Sequence, residues 1–221
     1  MVMKIEDMNI TVPAGNNALV YFSKHCIVTR DATITVPRNY VGLIYVGGKP
    51  KSKMSECANE NLVKKFGGEL RKEDLQVAFY SEKANFEIKW GIGGIQVNND
   101  RLQDAYSVGV NGIVTCSIKD PVGLINYFQK DTSITVQDVW AKILPIITNN
   151  GVPLLSEYFS GKSVSIFEIN SELANIRAKM VELIKGEKIF ADMGLEVEDV
   201  TLNSIYVPEE DINRIKERIN G

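Results

Sequence analysis

Apolar and polar positions along this chain follow two different periods. In the first half they fall in short runs or alternate every second residue. Ala18–Ser23, Ala32–Val36, Tyr40–Val46, Leu75–Tyr80 and Phe86–Trp90 are rich in β-branched and aromatic residues and lie between Gly, Pro and Asn clusters, which predicts strands. Thr33 and Thr35 alternate with Ile34 and Val36, and Phe86, Ile88 and Trp90 share one face. Ala105–Ile118 is long enough for one bent strand, with Gly109 and Gly112 as points of bulging or close approach. Gly91–Gly94 reads as a bend between strands. The short loops favour antiparallel meanders. Lys49–Lys72 breaks the pattern. It is polar, lysine-rich and weakly periodic, and predicts a long loop or a short helix around Asn59–Phe66.

From Asp120 the period changes to that of helices. Asp120 caps a short helix that starts with Pro121 at its first position and carries Val122, Leu124, Ile125 and Phe128. Thr135 caps the next, whose stripe is Val136, Val139, Trp140, Ile143, Leu144 and Ile147. Pro145 removes an internal hydrogen bond and should kink this helix or end its regular part, with Leu154–Ser160 adding a further turn or two. Ser165 and Glu168 form a capping box. From there Ile166, Ile169, Leu173, Ile176, Met180 and Leu183 recur at three and four, the seam of a heptad. The spacing predicts one helix to about Asp192, roughly 40 Å long at the usual rise. Gly194 suits the left-handed position that ends it, Leu195–Val207 reads as a returning strand, and Pro208 opens another helix. Strands, then helices, then a strand argue for α+β, with helices on one face of an antiparallel sheet.

That long helix outruns a strand of typical length, about 17–20 Å, so one sheet cannot cover all of it. The expectation is that Ile169, Leu173, Ile176, Met180 and Leu183 are partly an oligomer contact, since large exposed apolar patches are uncommon on monomers.

Composition narrows the class. Hydrophobic residues make up 44% of the 221 and charged ones 24%, enough to build a core, so a disordered chain is excluded. A net charge of −3 gives no field that would draw nucleic acid. No apolar run approaches the 18 or so residues of a membrane helix, and the opening MVMKIEDM carries charges where a secretory signal needs an apolar core. Cys26, Cys57 and Cys116 are odd in number and scattered, which suits free thiols in a reducing compartment and hence a cytoplasmic location.

Candidate chemistry is sparse. His25 is the only histidine, and its neighbour Cys26 would point to the opposite face of a strand, so a structural role is expected. With one His and three scattered Cys, neither a metal site nor a cofactor is expected. Gly161-Lys162-Ser163 matches the end of a phosphate-binding loop, but Ser156 stands where the motif needs its first glycine. Gly91–Gly94 starts like a dinucleotide fingerprint, yet Gln96 replaces its third glycine and no helix follows. The alternative function is therefore a small-molecule enzyme using His25 or the Gly91–Gly94 bend; a closed pocket gathering His25 with a carboxylate or hydroxyl would favour it. Lys49, Lys51, Lys53, Lys64, Lys65, Arg71 and Lys72 outnumber Glu56, Glu60, Glu69 and Glu73, leaving +3. These seven are a candidate contact for anionic lipid, each adding about 1 kcal/mol near such a surface.

Several stretches carry a likeness in a shared order. They are Leu19-Val20-Tyr21, Val36-Pro37-Arg38-Asn39-Tyr40-Val41-Gly42 running on to Lys49, Lys89-Trp90-Gly91 with Asp100, and Gly112–Ile118 followed by Asp120-Pro121. Phe190 to Val197 and Ile205 to Glu210 complete the set. On these the chain resembles the SPFH family (stomatin, prohibitin, flotillin; band 7), most closely its bacterial branch labelled virion core protein-like. The resemblance implies a curved antiparallel sheet, no enzymatic activity, self-association into a homo-oligomer, and a scaffold beside membranes or membrane-protein partners. Residues 1–207 would form the SPFH-like domain and 208–221 the start of a helix that relatives extend into a coiled coil. In that helix Ile212, Ile215 and Ile219 begin an apolar stripe, with acids early and bases late as the macrodipole prefers. Many relatives also carry a membrane-inserted N-terminal segment, and this sequence shows none. The expectation is a chain cut at the domain's end, with assembly weakened accordingly.

Overall fold

The computed structural model describes residues 3–5, 9–28, 31–67, 74–82, 84–99, 104–130, 132–162 and 169–220. Together they form an α+β protein with open, antiparallel-dominated sheets, a helical C-terminal region and a final strand. Two compact units share the chain: Met1–Asn85, Ser117–Asp138 and Ala191–Glu196 make the first, Phe86–Cys116, Val139–Phe190 and Val197–Gly221 the second.

The first unit begins with short strands, β1 (Met3–Ile5), β2 (Asn9–Ile10), β3 (Val20–Phe22), β4 (Cys26–Val28) and β5 (Thr33–Val36). After them come β6 (Tyr40–Val46), β7 (Lys49–Met54), β8 (Cys57–Asn61), the single-turn α1 (Leu62–Phe66) and β9 (Asp74–Ser81). One sheet runs β1-β4-β9-β6-β7 with β3 also on β9, and another runs β2-β5-β8. The pairs β1–β4 and β2–β5 are parallel; the remaining pairings described in these two sheets are antiparallel. Val41, Leu43, Ile44 and Tyr45 on β6 are all buried, as its continuous apolar run requires. The core gathers Ile34, Ile44, Leu62, Leu75, Val77 and Phe79, each with no exposed surface. Each such side chain contributes about 1.5–3 kcal/mol by leaving water.

Lys49–Asn61 is therefore not a loop but two strands, with the expected short helix following at Leu62–Phe66. The cause is the turn before it. Gly47 (φ 57°) and Gly48 (φ 75°) both take the left-handed conformation of a two-residue hairpin loop, so β7 must fold back on β6. β7 lies at the edge of the sheet, where Pro50 is tolerated and lysines deter further pairing.

The second unit is built on β10 (Phe86–Asn99) and β11 (Asp104–Ile118), a long antiparallel pair in register from Phe86↔Cys116 to Asn99↔Asp104. Gly91–Gly94 does not separate strands. It is an irregularity inside β10, where the register shifts between Ile92 and Ile95 and Gly94 takes φ 71°. The chain then returns to the first unit for α2 (Pro121–Phe128). Asp120 caps α2 by accepting the Val122 N–H at 3.1 Å.

Next is α3 (Val136–Lys162), whose start is fixed by Thr135 and Asp138: the Asp138 carboxylate accepts both the Thr135 N–H and hydroxyl at 2.9 Å. Neither Pro145 nor Pro153 ends this helix, which runs on past both. Val139, Ile143, Ile147, Leu155 and Phe159 form its buried stripe. The Trp140 indole donates to the Lys89 carbonyl at 2.9 Å and docks α3 on β10.

The expected single helix to Asp192 is in pieces: a 3-10 turn at Ile169–Glu172, α4 (Leu173–Gly186) and α5 (Lys188–Asp192). The capping box at Ser165–Glu168 lies outside the described residues. Gly186 is a weak helix former, and Glu187 is extended (φ −73°, ψ 118°) with its carboxylate drawn to the Asn150 amide at 2.6 Å. The helix that reaches roughly 40 Å is instead α3, with 27 residues.

β12 (Leu195–Tyr206) pairs with β11, and α6 (Glu209–Asn220) follows. Gly194 opens β12 with φ 70°, and its carbonyl accepts the N–H groups of Lys119 and Asp120 at 2.9 Å each. A Cβ there would lie 2.2 Å from the Asp120 carbonyl oxygen, so only glycine joins this helix end to the start of α2.

Candidate functional site

His25 stands just before β4 and Asp74 opens β9, and the antiparallel register Cys26↔Leu75 makes them neighbours. The imidazole Nδ1 lies 2.5 Å from the Asp74 carboxylate. His25 lines an open cleft of about 410 Å³ within the first unit, with Phe22, Tyr45, Gln76, Gln129 and Lys130 among its walls. Tyr45↔Gln76 is a paired position of β6 and β9, so both side chains reach the same place from adjacent strands. Gln129 is positioned by the left-handed end of α2 (φ 48°). The Lys130 ammonium donates to Asp138 at 2.5 Å. Burial raises the Asp138 pKa, but Lys130 and the Thr135 N–H and hydroxyl outweigh it and hold the carboxyl below its usual range.

The Tyr45 hydroxyl is buried and has no hydrogen-bond partner. Burial raises its pKa, and the Asp120 carboxylate adds to the rise. Cys26 turns away into the core, where burial and then Asp74 push its thiol up to about 11, so it is not a thiolate at neutral pH. The described residues lining the cleft include no Ser, Thr or Cys. Among the described residues no group of His, Cys, Asp and Glu is placed to hold a metal ion. Sequence reading found His25 but missed Asp74, Tyr45, Gln76, Gln129 and Lys130. Strand pairing brings Asp74 to His25 across 49 positions, and no local signal marks it.

Of the seven lipid candidates, Arg71 and Lys72 lie outside the described residues. Lys49, Lys51 and Lys53 are all exposed along β7, with Lys51 at the irregularity where the register to β6 shifts, while Lys64 and Lys65 sit on α1. Lys53 is paired with Glu82 and lies 5.8 Å from the centre of the Tyr80 ring. Lys65 is paired with Glu60 at 2.8 Å. Lys49, Lys51 and Lys64 make no ion pair among the described residues.

The five seam positions divide. Ile169, Ile176 and Met180 are buried within the chain, whereas Leu173 and Leu183 are half-buried. A Cβ on Gly151 of α3 would meet both Ile92 of β10 and Met180, so α4 packs into the second unit at this level. The buried stripe of α4 is Ile176, Met180 and Ile184, a spacing of four that leaves the heptad seam. Of the five seam positions, Leu173 and Leu183 alone keep exposed surface. Gly161 and Lys162 are the last residues of α3 and form no phosphate loop; Ser163 lies outside the described residues.

No curated protein matches the chain. A family model described as SPFH domain / Band 7 family matches residues 34–220, from within β5 to the end of α6. With that match spanning most of both units, the chain belongs to the SPFH domain / Band 7 family.

Proposed function

We propose that this chain is a scaffold of the stomatin and prohibitin kind, which self-associates and helps organise membrane-associated assemblies. The family match over residues 34–220 carries this reading, since the family is in general non-enzymatic. Self-association would use the half-buried Leu173 and Leu183 of α4 together with α6, where Ile212 is also half-buried. Within the family, the order of motifs around Lys89-Trp90-Gly91 and Gly194-Leu195 favours the virion core protein-like branch. No described helix is long and apolar enough to cross a membrane, so this domain would meet one peripherally, through the β7 lysines or through partners. The cleft at His25 favours ligand binding over catalysis, because it is open and its described lining residues include no serine, threonine or cysteine nucleophile.

Fractionation of the chain from its own cells tests the reading. A scaffold should elute far above the mass of one chain and sediment partly with membranes. Elution as a single chain, wholly in the soluble fraction, would overturn it.

A further inference from the structure

We propose that the cleft beside His25 is a binding site for a small organic anion, a carboxylate or phosphate ester with a compact apolar body. Its volume of about 410 Å³ lies within the range of small-molecule sites. The walls are rich in hydrogens to donate. Tyr45 is 7% exposed, and its hydroxyl is buried with no partner in the protein. Buried hydroxyls almost always have a partner, so this one is arranged for a group supplied from outside. Lys130 spends one N–H on Asp138 and keeps two more. The carboxamides of Asn126 and Gln129 line the same cleft.

No carboxylate is among the described lining residues; Asp74 and Asp138 stand next to them, engaged with His25 and Lys130, and Asp120 is felt at Tyr45. Asp74 engages His25 through Nδ1, which fixes the ring at the mouth of the cleft. Phe22 and Ile125 supply the apolar wall. The arrangement is that of a ligand site, mostly preformed walls with a few convergent polar groups.

Titration calorimetry of the whole chain tests it, with benzoate and phenyl phosphate as probes against benzamide and benzyl alcohol as their neutral counterparts. At least one anion should bind at millimolar concentration or better, with its neutral counterpart at least tenfold weaker. Benzoate alone would mark a carboxylate site, phenyl phosphate alone a phosphate site. Tyr45→Phe should weaken the anion roughly tenfold while leaving melting unchanged or raised, because the hydroxyl has no partner to lose. Lys130→Gln should weaken it too; should that variant fail to fold, Tyr45→Phe still decides. Absence of binding by both anions, equal binding of the neutral compounds, or binding indifferent to Tyr45→Phe would overturn the proposal.

Discussion

Gly112 of β11 sits directly against the backbone of β12. A Cβ at this position would lie 2.0 Å from the Thr201 carbonyl oxygen and 2.7 Å from the Trp90 indole. Neither obstacle can swing aside, because one is backbone in a paired strand and the other is a ring only 3% exposed. Overpacking of this kind costs typically 1–3 kcal/mol, and more where strands must part. Gly91, whose register partner is Asn111, is the contrast: a Cβ there finds its nearest neighbour at 3.7 Å, an ordinary contact. Thermal denaturation should show Gly112→Ala melting several degrees lower and Gly91→Ala close to the parent. Equal melting of the two would mean that β11 and β12 are not packed as described. The need for glycine at 112 was legible in the sequence; its partner Thr201, on a strand 89 positions away, was not.

At the scale of elements, α4 carries the sharpest expectation. Ile176 is fully buried, so Ile176→Glu places an unpaired carboxylate in the core and should abolish cooperative unfolding in circular dichroism. Leu183 keeps surface, and Leu183→Glu should leave melting nearly intact while lowering the assembled mass seen by light scattering. A folded, dissociated Ile176→Glu would instead restore the whole seam as a partner surface. The other tie is at α6. The Asp211 carboxylate accepts the Ser107 N–H at 2.8 Å and pairs with Arg214, whose guanidinium also donates to the Ala105 carbonyl at 2.6 Å. The Ser107 N–H is the largest influence; burial opposes it, and Arg214 adds to it, so that Asp211 is held below the usual carboxylate range.

A depressed folded pKa means that this tie is fully present above the unfolded value of about 3.9 and is lost as pH falls through the lower folded one. The Ser107 amide resonance should therefore shift in that acid window and stay flat in Asp211→Ala. A Ser107 signal indifferent to both would remove the tie. Strands and helices with strong periodicity, such as Tyr40–Val46 and Pro121–Phe128, were legible from the chain. What escaped was set by pairing: β7 is polar because it is an edge, and the heptad seam hid the break at Glu187, where a side chain bonds to Asn150 on another helix.

At the scale of the whole molecule, open sheets with helices carry exposed lysines on an edge strand, and no described helix is long and apolar enough to cross a membrane. Attraction of such lysines to anionic lipid is screened over about 8 Å at physiological salt. Flotation with phosphatidylserine vesicles should show weak binding that high salt abolishes and that Lys49→Glu with Lys51→Glu reduces. Tight, salt-resistant binding would contradict an electrostatic contact. The reading of this chain as a scaffold requires that it join copies of itself, and sedimentation equilibrium across a range of concentrations measures that directly. The weight-average mass should rise above that of one chain as concentration increases. A mass fixed at one chain throughout, with the fold intact, would contradict it.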